Sequence, residues 1–469
     1  MIVLKFGGSS VKDAGAIDRV SSIIQERLDM HPVVIVSALG STTDRLVEIL
    51  DSLEKADAPH ARVILDEIKN HHENVIAEII QQADIRQKVL GTLNTELARI
   101  NRLIEGMENL QEVSARSRDA VLSFGELVSG PLLAGALESR GLSTTAVRPL
   151  DVIITDQTHG AAQPLIDPIR KRCSIHIAET ASPGRIPVMG GYVGATETGI
   201  LTTLGRGGSD LTASLVASLI NAHRLEYWKD VDGILTADPN LVPEATVVPV
   251  LSFREAAELA FLGARVLHPS SIQPAVDAGI PVHVLNTFKP ENPGTLIKKA
   301  ASPGIMDLKP PGGAVASVAC KRRQVLINIY STRMLGASGF LRRVFEVFDR
   351  LGLSVDHIAT SEVNVTVTMS PTDRIHELTN ELDEVAGVDV DEDAGVISVV
   401  GENLTRTPGV ASKLFGALED VNVKLITYGG SGVNLSLVVR DEDLPKAVRQ
   451  LHSALMGTRP KKRKPDAQL

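Results

Sequence analysis

The stretch Thr202-Thr203-Leu204-Gly205-Arg206-Gly207-Gly208-Ser209-Asp210 holds the densest chemistry in the chain. Its three glycines leave backbone N–H groups unshielded, an arginine sits among them, and a Ser-Asp pair opens the apolar run that follows. Such a turn can wrap an anion and aim a helix N-terminus at it. Arg206 can grip a carboxylate or phosphate through two parallel hydrogen bonds, and Asp210 is a partner for a metal or an ammonium group. The same residues also make an ordinary helix-capping turn, so other motifs must decide.

Lys5-Phe6-Gly7-Gly8-Ser9-Ser10 closes a first apolar run. A lysine beside a Gly-Gly turn at a strand end can hold phosphoryl oxygens, and neither a Walker A loop nor a dinucleotide fingerprint is present to explain it otherwise. Ser37-Ala38-Leu39-Gly40-Ser41-Thr42-Thr43-Asp44 offers small residues and hydroxyls, either to a small polar substrate or to a helix N-cap. Ser123-Phe124-Gly125-Glu126 sets a carboxylate in an otherwise apolar helix, where a solvent-facing glutamate is the usual reading. Tyr227-Trp228-Lys229-Asp230-Val231-Asp232-Gly233-Ile234 ends a strand in Lys-Asp and a tight Asp-Gly turn, with Leu235 and Thr236-Ala237-Asp238-Pro239 next. Gly263-Ala264-Arg265-Val266-Leu267-His268-Pro269 joins two helical patterns, and His268 before a proline reads as structural. The inventory is lysine, arginine, glycine turns and acids after strands, without Cys-His or Ser-His pairing. It suits charge neutralisation of a moving phosphoryl group rather than covalent catalysis.

The elements that must position these residues alternate. Strand patterns at Ile2–Phe6, Val33–Val36, Thr145–Arg148, Ile186–Met189, Leu225–Trp228 and Val282–Leu285 interleave with helical ones. The helical patterns are Ala16–Leu28, Ala120–Leu137, Pro168–Ala178, Ser209–Asn221, Arg254–Phe261 and Ser271–Ala278. That predicts an α/β sandwich with a largely parallel sheet over residues 1–300. Residues 46–112 read as a polar helical excursion from it.

A Pro/Gly-rich linker at 301–314 changes the texture. A strand–helix–strand–strand–helix–strand unit follows (Val325–Tyr330, Phe340–Leu351, Val355–Thr360, Val363–Met369, Arg374–Val385, Val388–Asp391). A second comprises Val396–Val400, Val410–Leu418, Val423–Thr427, Val433–Val439 and Leu444–Leu455. This is an internal repeat of roughly 70 residues with the ferredoxin-like order. The second copy lacks its last strand. Val315–Ala319 either extends the linker or fills that gap, and the pattern favours the second, which inserts the first unit (325–392) within the second (315–324 plus 393–456).

The 469 residues suit about three domains. Aromatic residues are only 3% against 43% hydrophobic, so the core must be aliphatic. A net charge of −9 argues against nucleic acid or anionic membrane as partner. The basic run Lys461-Lys462-Arg463-Lys464 reads as a solvated tail (457–469). Cys173 and Cys320 lie far apart, with no disulfide framework or zinc spacing, and no metal-ligand cluster is expected from the protein alone. No leader or long apolar span is apparent, and a cytoplasmic location is expected.

The motifs around Lys5, Glu126, Arg206, Trp228 and His268 stand in the order found in aspartate kinases, and the chain resembles that family over nearly its whole length, its repeat resembling tandem ACT domains. The resemblance implies phosphorylation of the β-carboxylate of L-aspartate by ATP with Mg²⁺, the entry to lysine, threonine and methionine synthesis. It implies that Lys5 neutralises the transferring group with the Gly7 and Gly8 amides, that Arg206 holds the substrate α-carboxylate, and that Glu126 pairs with its ammonium. Thr43 and Ser209 would add hydrogen bonds. Asp210 would organise the cations. Lys229, Asp230, Leu235 and Arg265 would line the ATP site. Leu235 replaces a frequent tyrosine, Asn240 an arginine and Arg265 a lysine. In the first ACT unit, Met334, Ser338, Gly339, Phe340, Leu341, Val355, Asp356, Thr360 and Ser361 resemble a lysine effector site, with Asp356 facing the effector ammonium and Ala337 replacing a serine. Threonine is the alternative effector, and ACT pairing implies a homodimer or larger assembly. The rival readings are another amino-acid kinase, such as an acetylglutamate kinase, and a catalytically dead amino-acid sensor. Glu126 opposes the former, since an acetylated nitrogen carries no charge to pair; Lys5, Arg206 and Asp210 oppose the latter. A fused homoserine dehydrogenase finds no dinucleotide fingerprint after the repeat.

Overall fold

Ile2–Phe6 (β1) and Pro32–Val36 (β2) are buried at every position, which requires a strand covered on both faces. The computed structural model describes residues 1–181, 184–262, 267–299, 315–331, 338–430 and 432–456. They form two units: Met1–Ile234 with Val266–Ser302, and Leu235–Arg265 with Pro303–Leu469.

In the first unit the chain continues through β3 (Ser143–Val147), β4 (Ile154–Thr155), β5 (Arg185–Gly190), β6 (Val193–Thr196), β7 (Leu201–Thr203) and β8 (Leu225–Lys229). β9 (Val250–Ser252) belongs to the second unit, and β10 (Val282–Asn286) and β11 (Thr295–Lys298) return to the first. The main sheet of this unit runs β3-β5-β2-β1-β8-β10-β11. All its pairs are parallel except β10 with β11. From β1 the chain builds outward to β2 on one side and later to β8 on the other. The topological switch point, where open α/β sheets bind ligands at the carboxyl ends of strands, therefore lies between β1 and β8.

Helices α1 (Ala14–Gln25), α2 (Thr42–Glu54), α3 (Ala58–Ile79), α4 (Ala83–Leu110), α5 (Ala115–Leu122) and α6 (Phe124–Ser139) come before β3. α7 (Ile166–Cys173), α8 (Gly208–Leu219), α9 (Phe253–Phe261) and α10 (Pro269–Asp277) come later. One apolar core joins α1, α2, α3, α4 and α6 to the sheet. The helical excursion is therefore α2–α4, held by a stripe from Ile85 through Val89, Leu93, Leu97 and Ile100 to Ile104 along α4. α8 and α10 pack together, with α8 also against β1, β2 and β8.

Three sequence expectations shift here. The single helix expected over Ala120–Leu137 is α5 and α6, separated at Ser123. β4, β6 and β7 form a small separate sheet too short to show a pattern. A long apolar span does exist, Ala115–Ser139, but 83% of its most apolar window is buried inside the fold. It is a core helix pair, whose Gly130 and Gly135 give close approach to β5 and α4.

In the second unit the strands expected separately at Val315–Ala319 and Val325–Tyr330 run as one 14-residue strand, β12 (Ser317–Tyr330). Helix α11 (Phe340–Arg350), β13 (His357–Thr360), β14 (Asn364–Met369) and α12 (Ile375–Asp383) follow. β15 (Gly387–Val400) is a second 14-residue strand, antiparallel to β12. Last come α13 (Val410–Gly416), β16 (Leu425–Tyr428), β17 (Asn434–Val439) and α14 (Leu444–Met456). The sheet order is β13-β14-β12-β15-β17-β16. Ser317–Lys321 pair with Val396–Val400, Val325–Tyr330 pair with β14, and the register shifts between Lys321 and Leu326. Arg323 has φ 52° in that bulge. Two cores result: one under α11 and α12, one under α13 and α14.

The expected break near residue 300 is drawn differently by the contacts. Ala237 and Val242 enter the core under α13 and α14. Val318 N–H donates to the Thr236 carbonyl (2.8 Å), and Thr236 Oγ1 lies 3.0 Å from His452 Nε2. Helix α9 opens with a Ser252/Glu255 capping box, and Glu255 also accepts from Glu402 N–H at 2.8 Å. The linker 301–314 and tail 457–469 lie outside the described residues.

Candidate active site

Lys229 ends β8 and Lys5 is the penultimate residue of β1, the two strands that flank the switch point. Lys5 pairs in register with Tyr227, one strand over. Asp210, in the first turn of α8, lies between the two lysines: Lys5 Nζ is 2.6 Å from Oδ1 and Lys229 Nζ 3.0 Å from Oδ2. Burial pushes the Lys5 pKa down, with the Asp210 charge acting against it. Burial alone would raise the Asp210 pKa, but Lys5 and Lys229 together hold it below the usual carboxylate range. Tyr227 Oη donates to the Asp210 carbonyl (2.9 Å) and anchors that turn from beneath. The cluster carries two cations and one anion, a net positive charge under low dielectric.

Glycines let the elements come this close. A Cβ on Gly8 would lie 2.9 Å from the Gly40 carbonyl oxygen, so the turn after β1 and the turn after β2 can touch only without a side chain there. Gly8 in turn accepts from Gly40 N–H at 3.0 Å. A Cβ on Gly125 would meet Ala38 Cβ at 2.4 Å, and one on Gly191 would meet Ser209 Cα at 2.7 Å. The starts of α6 and α8 thereby converge on the strand ends, and Ser209 Oγ donates to Glu126 Oε1 at 3.4 Å.

Glu126 is only 3% exposed, and its Oε2 has no hydrogen-bond partner. Burial raises its pKa to about 7, against the backbone hydrogen bond from Ala38 and the charge of Lys5. A buried carboxylate with a free oxygen is a site for a cation with N–H donors. The solvent-facing reading of this glutamate does not hold.

Arg206 is exposed at the tip of the anion turn. Gly205 (φ 73°) and Gly207 (φ 72°) flank it in the left-handed region that favours glycine. Thr43 is half-buried in the first turn of α2. Asp230 is exposed beyond β8. Leu235 falls in the second unit, where its carbonyl accepts from Ser317 Oγ at 2.8 Å; Arg265 lies outside the described residues. Of the residues expected to bind an effector, Ser338, Gly339, Leu341, Thr360 and Ser361 are exposed, Val355 is half-buried and Met334 lies outside the described residues. The Phe340 side chain is in the core under α11, so this residue can offer a ligand only its backbone.

Two residues escaped the sequence reading. Tyr192 follows Gly190-Gly191 at the end of β5 with φ 65°, in the left-handed region that side chains rarely adopt. Its ring meets Gly208, and burial raises its pKa. Asp119 on α5 is fully buried. Its carboxylate accepts from Thr203 Oγ1 (2.5 Å) and Gly160 N–H (3.1 Å), and lies 2.6 Å from His159 Nδ1. It ties the 159–160 loop and the end of β7 to the helix that leads into Glu126. Gly160 in turn packs on Gly205, where a Cβ would come 2.9 Å from its carbonyl oxygen. No local spacing could reveal partners 40 and 84 residues away.

Among the described residues no group of three or more His, Cys, Asp or Glu is disposed to cage a metal. Mg²⁺ needs only one or two protein carboxylates when phosphates and water complete its shell, and Asp210 fits that share. The arrangement thus offers two anion sites, the Lys5/Lys229 pair and the Arg206 turn, and one cation site at Glu126.

The amino acid kinase family model matches residues 1–286, and an ACT domain model matches residues 397–455. Aspartokinase 2, chloroplastic, of Arabidopsis thaliana is 36% identical over 98% of this chain and 85% of its own length. Lysine-sensitive aspartokinase 3 of Escherichia coli is 33% identical over 97% of this chain and 99% of its own. The crystal structure of E. coli aspartokinase III in complex with aspartate and ADP superimposes with a TM-score of 0.80, covering 97% of this chain and all of that one at 33% identity.

Proposed function

The chain belongs to the amino acid kinase family, within it to the aspartokinases, and on that premise we propose that it transfers the γ-phosphoryl group of ATP to the β-carboxylate of L-aspartate, giving ADP and 4-phospho-L-aspartate. The observation that carries this reading is the pairing of a buried, unsatisfied Glu126 with a lysine-rich strand-end cluster. An α-amino acid presents an ammonium and a carboxylate a few ångströms apart, and Glu126 and Arg206 answer those two charges. Ser209 and Thr43 add hydrogen bonds to the substrate.

The nucleophile is a carboxylate of ordinary pKa near 3.9, already ionised at neutral pH, so no general base is needed. The difficulty is bringing two anions together. Lys5, with the Gly8 amide, neutralises the transferring group; the Gly7 N–H, expected to share that role, is instead spent on the Trp228 carbonyl at 3.1 Å. Lys229 supports the nucleotide phosphates, with Asp230 bordering the ATP site. Asp210 holds the two ammonium groups apart and in place. Asp210 would be the protein's share of the shell of an ATP-bound Mg²⁺, which would supply further charge neutralisation on the phosphates.

In this reading residues 1–300 carry catalysis, and the first (325–392) and second (315–324 plus 393–456) ACT units carry control. The effector is lysine, as in the name of the E. coli relative, with threonine as the alternative. Asp356 takes an effector ammonium. The open N–H groups at the start of α11, after Gly339 at φ 81°, take its carboxylate. The chain works in the cytoplasm as a homodimer or larger assembly at the entry to lysine, threonine and methionine synthesis.

The test is hydroxylamine trapping. With ATP, Mg²⁺ and hydroxylamine, L-aspartate yields the hydroxamate and N-acetylglutamate does not; absence of the aspartyl hydroxamate would sink the reading. Titrating activity with lysine and threonine, separately and together, identifies the effector.

A further inference from the structure

The carboxylate assigned to the effector is already occupied from within the chain. Lys321 Nζ donates to Asp356 Oδ2 at 2.9 Å, with the Asp356 side chain only 9% exposed and that of Lys321 22%. The carboxylate is fixed and the cation is not. Asp356 N–H is bonded to the Thr368 carbonyl (2.7 Å), and the next N–H, of His357, to Thr368 Oγ1 (3.1 Å). Lys321 reaches across on a flexible four-carbon stem from the bulge where β12 changes register. The same ammonium lies 4.6 Å over the ring of Phe261, the last residue of α9.

We propose that Lys321 is an internal competitor for the effector carboxylate, so that a free amino acid binds by displacing it from Asp356. This rests on the effector reading above. The ammonium of Lys321 is the same chemical group as that of a free lysine, and it is held at high effective concentration by the backbone. An incoming ammonium meets a carboxylate already neutralised, so its net gain is the difference between two similar pairs. The competitor sets the concentration at which control begins. Phe261 strengthens that competitor, because a cation over an aromatic face is pre-positioned. Effector occupancy is thereby linked through one side chain to the end of α9, four residues before Arg265. The start of α9 is fastened separately by the Glu255–Glu402 bond, and its middle by Asn434 Nδ2 donating to Glu258 Oε2 at 2.7 Å.

The test is calorimetric titration of the full chain with L-lysine. Relative to the unmodified protein, Lys321→Met keeps the stem, frees Asp356 and tightens the Kd about fivefold, the worth of a partly exposed pair. Phe261→Leu tightens it by less, and Lys321→Arg leaves it near the starting value. Asp356→Asn weakens binding at least tenfold. An unchanged or weakened Kd in Lys321→Met, with Asp356→Asn still weakened, overturns the competitor and leaves the effector site standing. Equal binding by the unmodified protein and Asp356→Asn, or no binding by either, overturns the effector assignment and the competitor with it.

Discussion

The two carboxylates proposed to take a ligand's ammonium are built in opposite ways. Glu126 is sealed among glycine-lined helix starts, with one oxygen unpartnered and its pKa raised to about 7. Asp356 sits before an edge strand with its charge met by Lys321. The first is left to be met by a proton or, in the proposed reading, by the substrate ammonium; the second is already met within the chain. A catalytic pocket gains from such preorganised imbalance, because discrimination is strongest where a wrong ligand leaves a buried charge unpaired. A regulatory pocket gains from balance, because its response then falls within a usable concentration range.

The comparison breaks most visibly at Lys5. Lys5→Met should lower kcat by about a thousandfold or more, since the cation proposed for the transferring group is lost and Asp210 is left with Lys229 alone. Steady-state ADP release checks this, and a loss under tenfold would move the phosphoryl group elsewhere.

Glu126→Gln comes next, with a rise in KM for L-aspartate of about a hundredfold, in the range for breaking a buried charge pair. Its pH behaviour sharpens the contrast. The folded-state pKa of about 7 stands above the ordinary value of 4.5. The folded protein therefore keeps a proton that the unfolded chain releases, and ligand-free stability falls as pH rises from about 4.5 to 7, by an order of about 3 kcal/mol. Affinity for aspartate runs the other way, weakening as pH drops below 7 because the protonated carboxyl cannot pair with an ammonium. Urea melts and KM values across pH 5–8 should show both trends, and Glu126→Gln should flatten both.

A smaller effect is expected at Asp119, a positioning residue. Asp119→Asn should raise KM for aspartate about tenfold, through a displaced Arg206 turn, while leaving KM for ATP near its starting value. A purely structural role would lower Tm and leave both KM values unmoved.

Much of this was legible before the fold was seen, for physical reasons. Lys5 and Lys229 announce themselves because buried parallel strands are short apolar runs punctuated by glycine. The repeat announces itself through its alternation. What stayed hidden was long-range. The pairing of Asp210 with both lysines joins three separate elements. Asp119 sits in an unremarkable polar turn of α5. The polar Lys321-Arg322-Arg323 interrupts the apolar pattern of β12, so one strand reads as two, although the Arg323 bulge lets it continue. Helix α6 is apolar all round because protein covers it on every side. The assignment of Leu235–Arg265 to the second unit follows from contacts such as Thr236–His452, invisible in either segment alone.

The most direct test of the central claim compares two ligands differing by one ammonium group. Calorimetry in the presence of ADP gives Kd values for L-aspartate and succinate with the unmodified protein and with Glu126→Gln. Glu126 as the ammonium site predicts that the unmodified protein prefers aspartate by about a hundredfold or more and that this preference collapses to within a few-fold in the variant. A preference that survives Glu126→Gln undiminished would contradict it.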